Sequence, residues 1–202
     1  MRGSRYPYLV SLTNRATGAS PHVDCRGVIV GESDGSSVIV TCKHVFRLTK
    51  WENVTVHRGK TRFPIRDAQE IPTTDIAVVR VEGYFPTPAG YYPPVATTAP
   101  TVGLTAVTFG ASTVPGTVIG RVWASRSKET LTVVRGGLVI ATHPPSRIVH
   151  GDSGAPVVAN GAIIGVQSQL IQFAGIETSF AVVSTLTAGM KAKYLSQLHL
   201  AE

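Results

Sequence analysis

Short β-branched runs separated by turn residues are the feature that most constrains the fold of this 202-residue chain. Twelve such runs occur, and clusters of Gly, Asn, Asp, Ser and Pro, which favour tight turns, separate them. The composition agrees, because 20 Gly, 13 Pro and only 15% charged residues suit many short strands better than long helices. We therefore predict an all-β fold built from sequential antiparallel strands.

A segment rich in Pro and Gly, residues 83–100, divides the predicted strands into two groups of six. It interrupts regular structure at every few positions, which is typical of a linker. Residues 1–82 and 101–202 are then expected to form two antiparallel six-stranded β-barrels, because closing each sheet removes its exposed edges. Only residues 184–200 have a helical pattern, which predicts a C-terminal helix. The predicted strands are 8–12, 25–30, 37–42, 53–57, 61–65, 75–81, 103–109, 117–124, 130–142, 155–159, 162–169 and 178–183.

One turn in the second half, His150-Gly151-Asp152-Ser153-Gly154-Ala155-Pro156, directly precedes a predicted strand and has a pattern suited to chemistry. Its glycines are favourable where the backbone turns sharply or approaches a ligand closely. Such a turn would expose the Ser153 hydroxyl as a nucleophile and direct the N–H groups of Gly151 and Ser153 at one point, forming an oxyanion hole. The alternative is an ordinary surface turn.

A serine nucleophile needs a base, and the base needs a carboxylate that fixes its tautomer. His44 directly follows a predicted strand, and Asp75 begins one. Each could instead be an ordinary polar residue at a strand end. Asp67 is a rival carboxylate, but no apolar strand follows it directly, and the other five histidines lack the strand-to-turn context of His44.

The order of these three residues, with two before the Pro-rich segment and one after it, resembles that of the chymotrypsin-like serine proteases. Thr41-Cys42-Lys43-His44 is similar to their Thr-Ala-Ala-His, Asp75-Ile76-Ala77-Val78-Val79 to their Asp-Ile-Ala-Leu strand, and Gly151-Asp152-Ser153-Gly154-Ala155-Pro156 to their Gly-Asp-Ser-Gly-Gly-Pro. The resemblance covers most of the chain. It implies a chymotrypsin-like double β-barrel and a serine endopeptidase that forms an acyl-enzyme and needs no cofactor.

In that family's arrangement, His44 is the general base and then the general acid, Asp75 orients it, and Ser153 is the nucleophile. The N–H groups of Gly151 and Ser153 form the oxyanion hole. The resemblance also implies that Ser168, Gln169 and Leu170 pair with a polypeptide substrate, which adds to the sheet as an extended strand.

Three further residues bear on substrate selection: Arg147, His150 and Gln167. Arg147, six residues before Ser153, stands where trypsin-type members carry the residue that sets specificity. A cation there favours an acidic residue before the scissile bond, and the alternative is that Arg147 points into solvent. Members specific for glutamate typically carry a histidine at the position of Gln167, and His150 directly precedes the nucleophile turn.

In trypsin-type members, the aspartate before the nucleophile pairs with a new N-terminus that activation generates. The corresponding residue here is Asp152, and no Ile-Val-Gly-Gly start is present, so Asp152 needs another partner. The candidates are Arg135, His143 and Arg147. The short connection between the histidine and aspartate motifs resembles compact viral polyprotein-processing or bacterial members more than digestive enzymes. We therefore expect a protease that processes a viral polyprotein.

The net charge is +7, and eleven of the nineteen Lys and Arg residues precede residue 67. A solvated basic face is one interpretation. Contact with nucleic acid is another, and it leads to a rival function: a binding or capsid-like module with a protease fold that is active at most once, in cis. No aromatic interleaving or RNA-binding motif accompanies the charge.

Two other groups of residues have alternative interpretations. His22-x-x-Cys25 and Cys42-x-His44 have the spacing of metal ligands, but His44 cannot serve both a metal and a triad, so no metal is expected. Cys25 and Cys42 could form one disulfide bridge, but two reduced thiols are favoured, because no signal-peptide pattern is present. The sequence contains no apolar stretch of membrane-spanning length. We expect a soluble protein, in the host-cell cytoplasm if viral, with a secreted enzyme as the alternative.

Overall fold

The computed structural model describes residues 6–14, 24–98, 100–126, 132–173 and 176–196, and almost all its regular structure is strand. Two helices, α1 and α2, span Val45–Leu48 and Ala188–Leu195. The strands are β1 (Leu9–Asn14), β2 (Asp24–Ser33), β3 (Ser36–Cys42), β4 (Val54–Arg58), β5 (Thr61–Ile71), β6 (Ile76–Val81), β7 (Thr105–Phe109), β8 (Thr113–Arg121), β9 (Ala124–Arg126), β10 (Val133–Arg135), β11 (Leu138–Thr142), β12 (Pro156–Ala159), β13 (Ala162–Phe173) and β14 (Ile176–Ser184).

The first six strands close into an antiparallel barrel in the order β1-β2-β3-β6-β5-β4. Strands β1 and β4 alternate buried and partly exposed residues, as expected for a sheet with one face on a core. Strand β3 is buried along its whole length because its second face lies against the other half of the molecule. Strand β5 runs to Ile71, six residues beyond its predicted end, and pairs with β6 there.

The second barrel has the order β11-β14-β13-β12-β7-β8, which confirms two closed six-stranded antiparallel barrels. The run predicted as one strand with an interruption at Gly136 and Gly137, 130–142, is divided at those glycines into two strands: β10 ends at Arg135, and β11 begins at Leu138. Strand β10 pairs with β9 in a separate two-stranded sheet, so this hairpin stands outside the barrel.

The two barrels pack against each other through a shared apolar cluster. Val166 of β13 and Ile163 belong to the same buried cluster as Ile39 and Ile76 of the first barrel. The segment between β6 and β7 contributes to that cluster as well, through Phe85 among others. This interface fixes the end of β3 relative to β13, which is where the predicted chemical residues lie.

Helix α2 covers only the middle of the predicted helix 184–200. Its Leu195 is buried in the cluster between the barrels, and Met190 and Tyr194 pack partly against it. Residues 197–200 lie outside the described part of the chain. Among the described residues, no helix has the length and apolar character that crossing a bilayer requires.

Stability is expected to fall at alkaline pH. Burial raises the pKa of the Cys42 thiol well above 9 and the pKa values of the Tyr6 and Tyr92 phenols above 10. The unfolded chain releases these protons near pH 9–10, whereas the native chain retains them. The native stability contributed by these groups is therefore complete below about pH 9 and is lost as the pH rises. Urea midpoints should decline between pH 9 and 11, and Cys42→Ala should make the decline shallower; a level midpoint would contradict this.

Candidate active site

A buried polar contact joins His44 and Asp75. His44 follows β3 by two residues, and Asp75 directly precedes β6, the neighbour of β3 in the barrel. The Nδ1 atom of His44 lies 2.7 Å from Oδ2 of Asp75, and the backbone N–H of His44 donates to Oδ1 over 3.0 Å. Because a carboxylate only accepts, Nδ1 carries the proton, and Nε2 of the neutral ring is left as the acceptor.

Asp75 is held by both barrels. It is fully buried, and Ser168 of β13 donates its hydroxyl to Oδ2 at 2.5 Å. The backbone N–H of Asp75 donates to Oγ of Ser184 at 3.0 Å. Asp75 is thus fixed by two serines of the second barrel, Ser168 through its carboxylate and Ser184 through its backbone N–H. The sequence singles out only Ser168.

Ser153 lies at the same end of the barrel interface. The N–H of Arg26 in β2 donates to the carbonyl of Ser153 over 2.7 Å, and the carbonyl of Arg26 accepts from Oγ1 of Thr41 in β3. On the other side, the N–H of Gly154 donates to the carbonyl of Gln167 in β13 at 2.7 Å. The nucleophile turn is therefore fastened between β2, the neighbour of the strand that leads to His44, and β13, which carries Ser168.

Two N–H groups of this turn make no hydrogen bond to the described part of the protein. The N–H groups of Asp152, Gly154 and Ala155 donate to backbone carbonyls. Those of Gly151 and Ser153 donate to none of the described residues. Two free N–H groups two residues apart, next to a half-buried serine, have the pattern required to bind a developing negative charge.

Besides His44, Asp75 and Ser153, the site contains Cys42, which is not predicted from the sequence to lie there. Its Sγ lies 3.7 Å from Nε2 of His44. Cys25 and Cys42 are both free thiols, the state that the sequence favours, and both are buried. Within the described part of the chain, no hydrogen bond joins Ser153 to His44. Such bonds are often long before substrate binds and shorten in the complex. The sequence signal for the contact between Cys42 and His44 is the cysteine itself, because the similar Thr-Ala-Ala-His motif has alanine at that position.

Gly154 is required by its surroundings as well as by its backbone angle. Its φ is +80°, and a Cβ there would lie 2.1 Å from the Arg26 carbonyl oxygen and 2.6 Å from Thr41 Oγ1. Gly154→Ala should therefore lower the free energy of unfolding by about 2–5 kcal/mol, from backbone strain and overpacking together. Gly161→Ala is the matched control: its φ is +76°, but nothing lies within 4 Å. Equal losses of urea midpoint in the two variants would contradict the packing argument.

A family model of the trypsin-like peptidase domain matches residues 25–166, more than half of the chain. The chain belongs to this family. It is a serine endopeptidase of chymotrypsin-like fold, as its motifs implied. None of the curated proteins matches the sequence significantly.

Solved structures with the same fold include proteases and inactivated relatives of proteases. The active form of the Rv3671c protease from M. tuberculosis is 20% identical with a TM-score of 0.70, covering 97% of this chain and 82% of that one. Nocardiopsis protease is 16% identical with a TM-score of 0.65, covering 92% and 94%. The scabies mite inactivated protease paralogue S-I1 is 12% identical with a TM-score of 0.70, covering 96% and 97%. Because the same fold occurs in proteases and in inactivated relatives, the fold alone assigns no role to a site residue.

The partner of Asp152 in this trypsin-like peptidase is backbone, and the expectation of a cationic partner was wrong. Its buried carboxylate accepts from the N–H of Ala111 at 2.6 Å and of Val149 at 3.0 Å. No ion pair reaches it among the described residues. The three candidates lie elsewhere: Arg135 and Arg147 are exposed, and Nε2 of His143 lies 2.7 Å from Oγ1 of Thr117.

The residues predicted to bind substrate in this peptidase fall into two groups. Arg147 and His150 are exposed on the segment that leads to the nucleophile turn. Gln167 and Gln169 are buried on β13, and Leu170 packs on a small apolar cluster with Ile148. The side chain of Gln169 is fixed by Ser125 Oγ at 2.5 Å and by the carbonyl of Thr132 at 3.2 Å.

The rival interpretations of single residues find no support in the structure. Asp67 lies 3.6 Å from Arg80 on the partly exposed face of β5, and it is Asp75 that binds His44. Among the described residues, no group of three or more His, Cys, Asp or Glu could hold a metal ion. His22 of the proposed metal spacing lies outside those residues.

Proposed function

We propose that this peptidase cleaves peptide bonds through Ser153, His44 and Asp75 by way of an acyl-enzyme. The observation that carries the proposal is the 2.7 Å contact between His44 Nδ1 and the fully buried Asp75 carboxylate. It places the ring proton on Nδ1 and leaves Nε2 as the acceptor that takes the proton of a serine hydroxyl. The same carboxylate stabilises the imidazolium that forms.

The reaction proceeds in two stages, acylation of Ser153 and hydrolysis of the acyl-enzyme. Ser153 Oγ bonds to the scissile carbonyl carbon while its proton passes to His44 Nε2, and the carbonyl oxygen becomes an oxyanion. Collapse of this intermediate breaks the C–N bond, and His44 gives its proton to the leaving amine. Water then attacks the acyl-enzyme by the same route, which releases the new carboxyl end and restores Ser153.

Two features of the turn support the role of oxyanion donor. The N–H groups of Gly151 and Ser153 make no protein hydrogen bond among the described residues, whereas their neighbours do. The turn cannot shift easily, because Ser153 and Gly154 are bonded to β2 and β13 respectively. Preorganised donors of this kind contribute about 10²–10³-fold each to kcat.

A p-nitrophenyl ester tests the proposal. The expected result is a burst of nitrophenol equal to the enzyme concentration, followed by a linear phase, because acylation is faster than deacylation. Absence of both phases would contradict the proposal. A stoichiometric burst with no later turnover would instead favour the rival function of a module that cleaves once in cis.

We further propose that the natural substrate is a viral polyprotein, bound as an extended strand along Ser168, Gln169 and Leu170. An enzyme that releases itself from a precursor must be active before any cleavage. The backbone partners of Asp152 support this, because they do not require a newly formed N-terminus. An N-terminal fusion should therefore leave the burst amplitude unchanged, whereas its loss would contradict the proposed activity within a precursor.

A further inference from the structure

An unpartnered acceptor lies beside the proposed nucleophile. Gln167 is only 2% exposed, and its Oε1 atom has no hydrogen-bond partner among the described residues. Nearly all buried polar side-chain atoms in proteins are paired, and an unpaired one is costly. An orphan acceptor on a residue whose backbone is bonded to the nucleophile turn therefore points to a ligand group that completes it.

The position of Gln167 relative to Ser153 is fixed by backbone bonds. Its carbonyl accepts from the N–H of Gly154 at 2.7 Å, and its N–H donates to the carbonyl of Ala155 at 2.8 Å. The residue thus lies directly alongside the nucleophile turn. A register shift between Gln167 and Gln169 marks a β-bulge, a feature that re-aims side chains next to active sites.

The free atom is an oxygen and not a nitrogen. The other amide atom of Gln167, Nε2, donates to the backbone carbonyl of Gln169 at 2.9 Å. A carbonyl oxygen only accepts, so the nitrogen must be on that side, which leaves Oε1 as the unpaired atom. The site therefore offers one uncharged acceptor and requires a donor from its ligand.

The neighbouring groups exclude most classes of donor. Three carboxylates lie near the nucleophile turn, and all are already bonded within the protein. Those of Asp75 and Asp152 are fully buried, and that of Asp24, close to Gly151, is paired with Arg26. A cationic side chain would find only a neutral carbonyl, which does not offset the cost of desolvating a charge. A carboxylate on the ligand would place a second acceptor against Gln167 Oε1. An apolar side chain would leave Oε1 unpaired. A neutral NH₂ group satisfies the site.

We propose that the substrate site beside Ser153 selects a carboxamide side chain, Gln or Asn, just before the scissile bond, with its NH₂ donating to Gln167 Oε1. This rests on the proposed function, because the preference is expressed only through the acyl transfer at Ser153. It differs from the acidic preference suggested by Arg147, whose side chain is exposed.

Matched fluorogenic peptides test the proposal. They are identical except for Gln, Asn, Glu, Met or Lys before the scissile bond, and Met is the apolar isostere of Gln. We expect kcat/KM for the better of Gln and Asn to exceed that for Glu, Met and Lys by about ten- to a hundredfold. Gln167→Met should reduce the ratio of the Gln to the Met peptide to about one. Gln172→Met, an exposed position on the same strand, is the control and should leave that ratio unchanged.

The outcomes separate this inference from the function on which it rests. A p-nitrophenyl ester burst in Gln167→Met shows that the variant is folded and acylates. If the burst occurs but the carboxamide has no advantage, or if the advantage survives in Gln167→Met, the inference is overturned, and Oε1 binds only water. If the natural protein shows no burst, the proposed function fails, and the inference fails with it.

Discussion

Replacement of Ser153 by alanine is expected to lower kcat by roughly 10⁵–10⁶-fold without changing the fold. The hydroxyl is the only group removed, and Ser153 is fastened through its backbone carbonyl to Arg26 rather than through its side chain. The variant should unfold at the same urea concentration as the natural protein. Peptide hydrolysis under conditions of substrate saturation gives the change in kcat.

The matched control for Ser153→Ala is Ser112→Ala, a serine on the short turn between β7 and β8. Its side chain is exposed, so both activity and stability should be retained. Hydrolysis by Ser153→Ala within about tenfold of the natural rate, in protein free of contaminating protease, would contradict its role as nucleophile.

Replacement of Asp75 by asparagine is expected to lower kcat by roughly 10⁴-fold. An amide at this position can present NH₂ to His44 Nδ1, which then becomes the acceptor and places the ring proton on Nε2. That tautomer cannot take the proton of Ser153. The structure predicts this large effect because the carboxylate contacts the ring at 2.7 Å and is shielded from water.

The pH dependence of activity distinguishes a role of Asp75 in proton transfer from a purely structural one. In Asp75→Asn, activity should recover partly as hydroxide concentration rises, because hydroxide can take the proton that the mispaired ring cannot. Asp67→Asn is the control, since Asp67 contacts Arg80 and not His44. A loss of activity in Asp67→Asn as large as that in Asp75→Asn would contradict the assignment.

Most of the fold follows from local chemistry in the sequence. Turn residues delimit the strands, and the need to cover sheet edges favours two closed barrels over two open sheets. The extension of β5 was missed because residues 66–70 are mainly polar and lack β-branched side chains. That extension is specified by pairing with β6, a tertiary interaction that leaves no periodic signal on an exposed strand.

The hairpin of β9 and β10 was missed for a related reason. Both strands are three residues long, and the apolar pattern of 130–142 continues across Gly136 and Gly137. A pattern of hydrophobicity cannot show that the chain leaves the barrel between two short strands. Only the observed pairing of Val134 with Ser125 shows that these residues form a separate sheet.

The site was predictable where side chains carry the signal. His44, Asp75 and Ser153 stand at strand ends in recognisable contexts, and the structure places the first two in contact. The partners of Asp152 were not predictable, because the N–H groups of Ala111 and Val149 are available from any residue. The contact of Cys42 with His44 and the unpaired Gln167 oxygen depend on distances between strands, which the sequence does not supply.

The central claim is that Ser153 is a nucleophile activated by His44. The most direct test is reaction of the whole chain with a fluorophosphonate, which bonds to activated serines, followed by mass spectrometry of the digested protein. The account predicts one phosphonyl group per chain, located on Ser153, with labelling abolished in His44→Ala and strongly slowed in Asp75→Asn. Labelling of another residue, or no labelling of natively folded protein, would contradict it.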